Sequence, residues 1–129
     1  MKNNLLNFID INDERGSLVS LEAFKNIPFE IKRVYYIYNT KADTARGFHA
    51  HKDLKQVLIC VNGSCDVLLN DRREKITIHL NKPSQGLLVD KMIWHEMHNF
   101  SPDCILMVLA SDYYDEQDYI REYEEFLER

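Results

Sequence analysis

His49 and His51 stand one residue apart in the run Arg46-Gly47-Phe48-His49-Ala50-His51. Strand side chains alternate faces, so a His-x-His pair in an extended segment aims both imidazoles at one surface. Imidazole exchanges protons near neutral pH and also ligates transition metals. Gln56 opens the next apolar run, and Trp94-His95-Glu96-Met97-His98-Asn99 forms a second histidine cluster. His49, His51, Gln56 and His95 are therefore the candidate metal set. A neutral amide is a poorer ligand than a carboxylate and offsets none of the cation's charge. The expectation is thus a metal-free, cofactor-free site in which His49 and His51 do acid–base work. A pair of hydrogen-bonded core histidines is the plainer alternative.

The ligand side is suggested by Lys32-Arg33-Val34-Tyr35-Tyr36-Ile37-Tyr38, where Arg33 and Tyr35 share one face of an extended run. An arginine among apolar neighbours in a strand costs desolvation unless it meets an anion. A diphosphate suits its fork of donors, and so does a structural carboxylate. Arg46 lies just before the histidine pair and could reach the same ligand, although strict alternation puts it on the opposite face. Trp94 reads as core, with a possible second role as a pocket wall.

The elements that must position these groups are short and mostly extended. Apolar or alternating runs recur at 7–11, 17–21, 32–38, 47–51, 56–61, 65–69, 75–80, 86–89, 93–98 and 104–110. Asn62-Gly63 is a hairpin signal, Asn70-Asp71 a turn, and the stretches 81–84 and 101–103 loops. Regularly spaced short strands in one domain spanning 1–129 predict an all-β jelly-roll barrel. The exception is 115–129, where Tyr119, Ile120, Tyr123, Phe126 and Leu127 make a helical apolar stripe. A C-terminal α-helix packed against the barrel or a partner subunit is expected there.

The 129 residues carry 21 acidic and 16 basic side chains, a net charge of -5 that argues against a general nucleic-acid binder. Cys60, Cys65 and Cys104 have no metal-finger spacing and read as buried, reduced thiols of a cytoplasmic protein. Neither a signal peptide nor an apolar run of membrane-spanning length is visible.

The His-x-His run, with glutamine where a metal site usually has glutamate, is the cupin signature in outline. Further segments narrow it: Asn26-Ile27-Pro28-Phe29 with 31–37, 46–51, Trp94-His95-Glu96-Met97, and Val108 to Glu116 continuing to Asp118-Tyr119-Ile120-Arg121. Together they resemble the cupin-fold sugar-nucleotide 3,4-ketoisomerases, which act on dTDP-4-keto-6-deoxyglucose on the way to 3-amino-3,6-dideoxy sugars of bacterial surface glycans. One departure is Asp90-Lys91, where a Gly-Pro is usual. The resemblance implies a jelly-roll homodimer with exchanged N-terminal strands, no metal, and His49 and His51 as the catalytic pair. Arg33, Tyr35 and Arg46 become candidates for the nucleotide-sugar pocket, with Gln56 and His95 in support. Arg15 and His98 are further candidates, because similar galacto-forming enzymes carry Arg and His at those places. The rival readings are a sugar-nucleotide 3,5-epimerase, a metal-dependent cupin oxygenase and a non-catalytic nucleotide-sugar-binding cupin.

Overall fold

The computed structural model of the chain describes Met1 and residues 4–129. In chain order the strands are β1 (Leu5–Asn7), β2 (Ile11–Asp13), β3 (Gly16–Leu18), β4 (Arg33–Ile37), β5 (Arg46–His51) and β6 (Gln56–Asn62). They continue as β7 (Cys65–Asn70), β8 (Lys75–Leu80), β9 (Gln85–Val89), β10 (Trp94–His98), β11 (Ile105–Ala110) and β12 (Tyr119–Ile120), ahead of helix α1 (Tyr123–Glu128). Two five-stranded antiparallel sheets, ordered β1-β9-β6-β11-β4 and β12-β5-β10-β7-β8, form the jelly roll; β2 and β3 stand apart as a hairpin. No helix among the described residues is long and apolar enough to cross a membrane.

Strand β6 shows why the sequence folds this way. It is central in its sheet, and residues 56–60 are all buried, because both of its faces are covered. Leu58 and Cys60 join the barrel core with Leu69, Leu87, Leu106 and Val108. Val57 and Ile59 point the other way, onto Phe8, Ile27 and Phe29 of the N-terminal segment. Asn62-Gly63 makes a turn but not the expected hairpin, because β6 and β7 belong to different sheets and do not pair; Gly63 takes φ +72° in this connection, where an added Cβ would lie 2.9 Å from Cys104 Cα. The departure at Asp90-Lys91 is a tight turn, in which Met92 adopts φ 60° and donates its N–H to the His51 carbonyl at 2.7 Å.

Two further expectations need correction. The helix expected over 115–129 is only Tyr123–Glu128. Asp115 instead caps a single 3-10 turn, Glu116–Asp118, and Tyr119 and Ile120 pair in register with His51 and Ala50 of β5. The stripe that looked helical is divided between a strand and a helix, and both halves bury into one cluster of Ala50, Trp94, Ile120 and Phe126. At the N-terminus, the runs expected at 7–11 and 17–21 are displaced. The strands are Leu5–Asn7, which pairs with β9, and the exposed hairpin of β2 and β3.

Candidate active site

Strands β5 and β10 lie side by side with His49 directly opposite His95, and β12 brings Tyr119 opposite His51. The ring of His49 is 5.0 Å from that of His51 and 4.6 Å from that of His95, centre to centre. Each imidazole is anchored through Nδ1: His49 to the Gly47 carbonyl at 3.1 Å, His95 to the Ile93 carbonyl at 3.2 Å, and His51 to Asp118 Oδ2 at 3.1 Å. A carbonyl or carboxylate oxygen can only accept, so Nδ1 carries the proton in each ring. The Nε2 lone pairs are left for chemistry, and His51 Nε2 is buried without a partner.

Burial then sets the protonation state. Loss of solvent pulls His49 down to about 4, and His51 and His95 down to about 3. Asp118 would favour an imidazolium at His51, but desolvation first, then the nearby His49, Arg33 and Arg121, outweigh it. All three rings are therefore neutral bases at pH 7.

Asp118 does more than hold one ring. Its Oδ1 accepts the Asp53 N–H at 2.9 Å and its Oδ2 the Leu54 N–H at 3.3 Å, tying the β5–β6 loop to the C-terminal segment. Behind the histidines, buried Gln56 donates from Nε2 to Tyr35 Oη at 2.8 Å. That hydrogen bond commits the amide to orienting the tyrosine. Burial raises the Tyr35 phenol above its ordinary range, so it stays protonated.

Two cavities open beside the rings. One, of about 290 Å³, is walled by Arg33, Tyr35, Arg46, His49, Tyr114 and Tyr119 among others. The other, of about 120 Å³, shares Arg33 and Tyr119 and adds His51, Asp118 and Ser111. Arg33 Nε is buried and unpartnered where the two meet, with its guanidinium 5.2 Å from the Tyr35 ring centre. A half-buried guanidinium with one buried, unpartnered donor suits an anion. The set His49, His51 and His95 also has ring nitrogens within 4.8 Å of one another, a spacing that could hold a divalent metal; no carboxylate belongs to it among the described residues.

The sequence candidates thus converge, with two exceptions. Arg46 enters the cavity wall despite strict alternation, because Gly47 and Phe48 both take positive φ, 92° and 63°, and break the pleat. His98 is three residues from His95 along β10 and so faces the other way, toward Glu96 at 2.8 Å and the edge of Phe48. Arg15 lies on the exposed hairpin with its guanidinium on Asp13, away from both cavities of the single chain. Asp118, Tyr119, Tyr114 and Arg121 went unassigned in the sequence, although all four sit in the C-terminal segment that carries the resemblance.

The family model described as FdtA: WxcM-like, C-terminal, matches residues 1–129. A TDP-4-oxo-6-deoxy-alpha-D-glucose-3,4-oxoisomerase of Aneurinibacillus thermoaerophilus is 60% identical over 126 residues, 98% of this chain and 91% of that protein. The chain belongs to the sugar-nucleotide 3,4-ketoisomerase family. Among solved members, a 3,4-ketoisomerase of Helicobacter canadensis matches with TM-score 0.94 and 58% identity, over 96% of this chain and 93% of that one. The sugar 3,4-ketoisomerase QdtA of Thermoanaerobacterium thermosaccharolyticum, in complex with TDP, matches with TM-score 0.94 and 49% identity, over 96% and 90%. A dTDP-4-dehydrorhamnose 3,5-epimerase of Bacillus anthracis shares only the fold, at 20% identity and TM-score 0.78 over 89% and 75%.

Proposed function

We propose that this ketoisomerase converts dTDP-4-keto-6-deoxy-D-glucose to a dTDP-3-keto-6-deoxyhexose, feeding 3-amino-3,6-dideoxy sugar synthesis. The observation that carries the mechanism is the pair of neutral imidazoles anchored through Nδ1 with Nε2 free. His49 removes the proton on carbon 3, which the adjacent ketone acidifies, and electrons move to oxygen 4. His51 Nε2 takes the proton of the carbon-3 hydroxyl and delivers it to oxygen 4. The ketone re-forms at carbon 3 as His49 returns its proton to carbon 4. Arg33 and Arg46 hold the diphosphate, Tyr35 lines the sugar end with Gln56 orienting it, and His95 buttresses His49.

A single base returns the proton to the face it left, which makes 3-keto-6-deoxygalactose the favoured product. In the single chain His98 faces Glu96 and not the two cavities. In the galacto product the coupling between the protons on carbons 4 and 5 is small; a large coupling would mean a gluco product and a second proton donor. The reaction is read as metal-free because the donor set is neutral and Gln56 is committed to Tyr35. Elemental analysis of active enzyme tests this, and stoichiometric transition metal lost together with activity would overturn it.

The exposed hairpin of β2 and β3, with Ile9, Ile11 and Leu18 bare in the single chain, supports a homodimer built by exchange of N-terminal strands. Arg15 would then meet the partner rather than its own cavity. The variants His49→Asn and His51→Asn should each lose at least about 100-fold in kcat with the fold intact. Near-normal turnover in both would remove the pair from the mechanism.

A further inference from the structure

We propose that Cys60, Cys65 and Cys104 form a binding site for one thiophilic d10 cation, Zn²⁺ or its analogue Cd²⁺, at the end of the barrel remote from the histidines. The inference stands independently of the isomerase reading. The three thiols are free and buried, and their sulfurs lie within 4.8 Å of one another. Cys60 and Cys104 Sγ are 3.7 Å apart. Zinc–sulfur bonds of about 2.3 Å in a tetrahedral site set sulfur–sulfur edges of roughly 3.8 Å, so one edge already has the required length.

The sulfurs come from three places that the fold brings together: the last turns of β6, the first residue of β7 and the residue before β11. Cys60 is four residues from Gln56 along β6, roughly 13 Å at the rise of an extended strand. The cluster and the catalytic cavity therefore occupy opposite ends of the barrel. Small apolar residues could fill this volume without turning three S–H groups toward each other. Closing the site are the β6–β7 turn and the loop 101–103, joined by hydrogen bonds from Ser64 N–H to Ser101 Oγ and from Asn62 Nδ2 to the Asp103 carbonyl, both 2.9 Å. The Asn62 carbonyl, 3.2 Å from Cys60 Sγ, is a polar oxygen available beside the thiols.

Hydrogen bonding among the thiols lowers Cys60 from the ordinary thiol range, while the same contact and burial raise Cys65 and burial raises Cys104. Binding must expel the remaining protons to solvent, which only a cation with strong thiolate affinity can do. Oxygen-seeking Mg²⁺ and Ca²⁺ are excluded on the same ground.

The test uses the full-length, reduced wild type, refolded and titrated with Cd²⁺. One equivalent should bind, with an ultraviolet thiolate-to-cadmium charge-transfer band and a raised thermal midpoint. Cys60→Ser, Cys65→Ser and Cys104→Ser should each weaken binding at least 100-fold while ketoisomerase turnover persists. If a serine variant does not fold, loss of three titratable thiols on loading the wild type reads the same site. No thiolate band in the folded wild type would overturn the proposal, as would uptake that survives all three substitutions and disappears with His49→Asn.

Discussion

Replacing Asp118 with asparagine isolates the orientation of a single proton. In the wild type, Asp118 offers two acceptor oxygens to three donors, His51 Nδ1–H, Asp53 N–H and Leu54 N–H, at 3.1, 2.9 and 3.3 Å. Asparagine keeps one acceptor. If its oxygen stays on Asp53, its amide N–H₂ faces His51 Nδ1, which must then accept, and the ring proton moves to Nε2. His51 could no longer take the hydroxyl proton from the sugar. Positioned acid–base catalysis is worth roughly 100- to 10,000-fold, or about 3–5 kcal/mol of activation free energy. The substitution should lower kcat by that factor and change KM far less, since Arg33 and Arg46, the residues proposed to hold the diphosphate, are untouched. Loss of the charged acceptor should also cost about 1.5–3 kcal/mol of stability. Product formation followed by proton NMR gives the rate, and ¹⁵N shifts of the imidazole report the tautomer. A folded Asp118→Asn enzyme with kcat within threefold of wild type, or one whose Nε2 stays unprotonated, would refute the reasoning.

Other perturbations reach different parts of the site. The folded-state values of His49, His51 and His95, about 4, 3 and 3, lie below the unfolded value of about 6.5. Between these limits the unfolded chain binds protons that the folded chain refuses, so stability is full above pH 6.5 and falls as pH drops toward 4. Three such groups set a slope of up to about 4 kcal/mol per pH unit, and an acid melting series that stays flat down to pH 3 would contradict this. The acid limb of kcat/KM should likewise fall well below pH 6, whereas a limb at the ordinary histidine value would mean solvated rings. Arg33→Met should raise the thermal midpoint of the ligand-free protein, because it removes a buried unpaired donor, while raising KM at least tenfold. A destabilised Arg33→Met variant with unchanged KM would place that side chain in the scaffold and not in the anion site.

The legible parts of this site were those governed by strand alternation. His49 and His51 share a face because the pleat holds between them, and Arg33 and Tyr35 do so for the same reason. Alternation misled at Arg46, where two left-handed residues in succession turn the chain, one of them the non-glycine Phe48. It puts His98, an odd number of residues from His95, on the opposite face, and the single chain has it there. The C-terminal segment was opaque for another reason. Tyr119, Ile120, Tyr123 and Phe126 satisfy a helical period, yet pairing of β12 with β5 buries Ile120 completely and sets the Tyr119 ring 4.4 Å from His51. Tertiary pairing overrode the local period and hid Asp118, the residue that anchors the His51 ring.

Proton NMR of wild-type enzyme with dTDP-4-keto-6-deoxyglucose in deuterated water tests the central claim most directly. The account predicts that the ketone moves to carbon 3, that solvent deuterium enters only at the carbons that trade it, and that the proton on carbon 5 is kept. Exchange at carbons 3 and 5 with the ketone left at carbon 4 would contradict it and mark an epimerase.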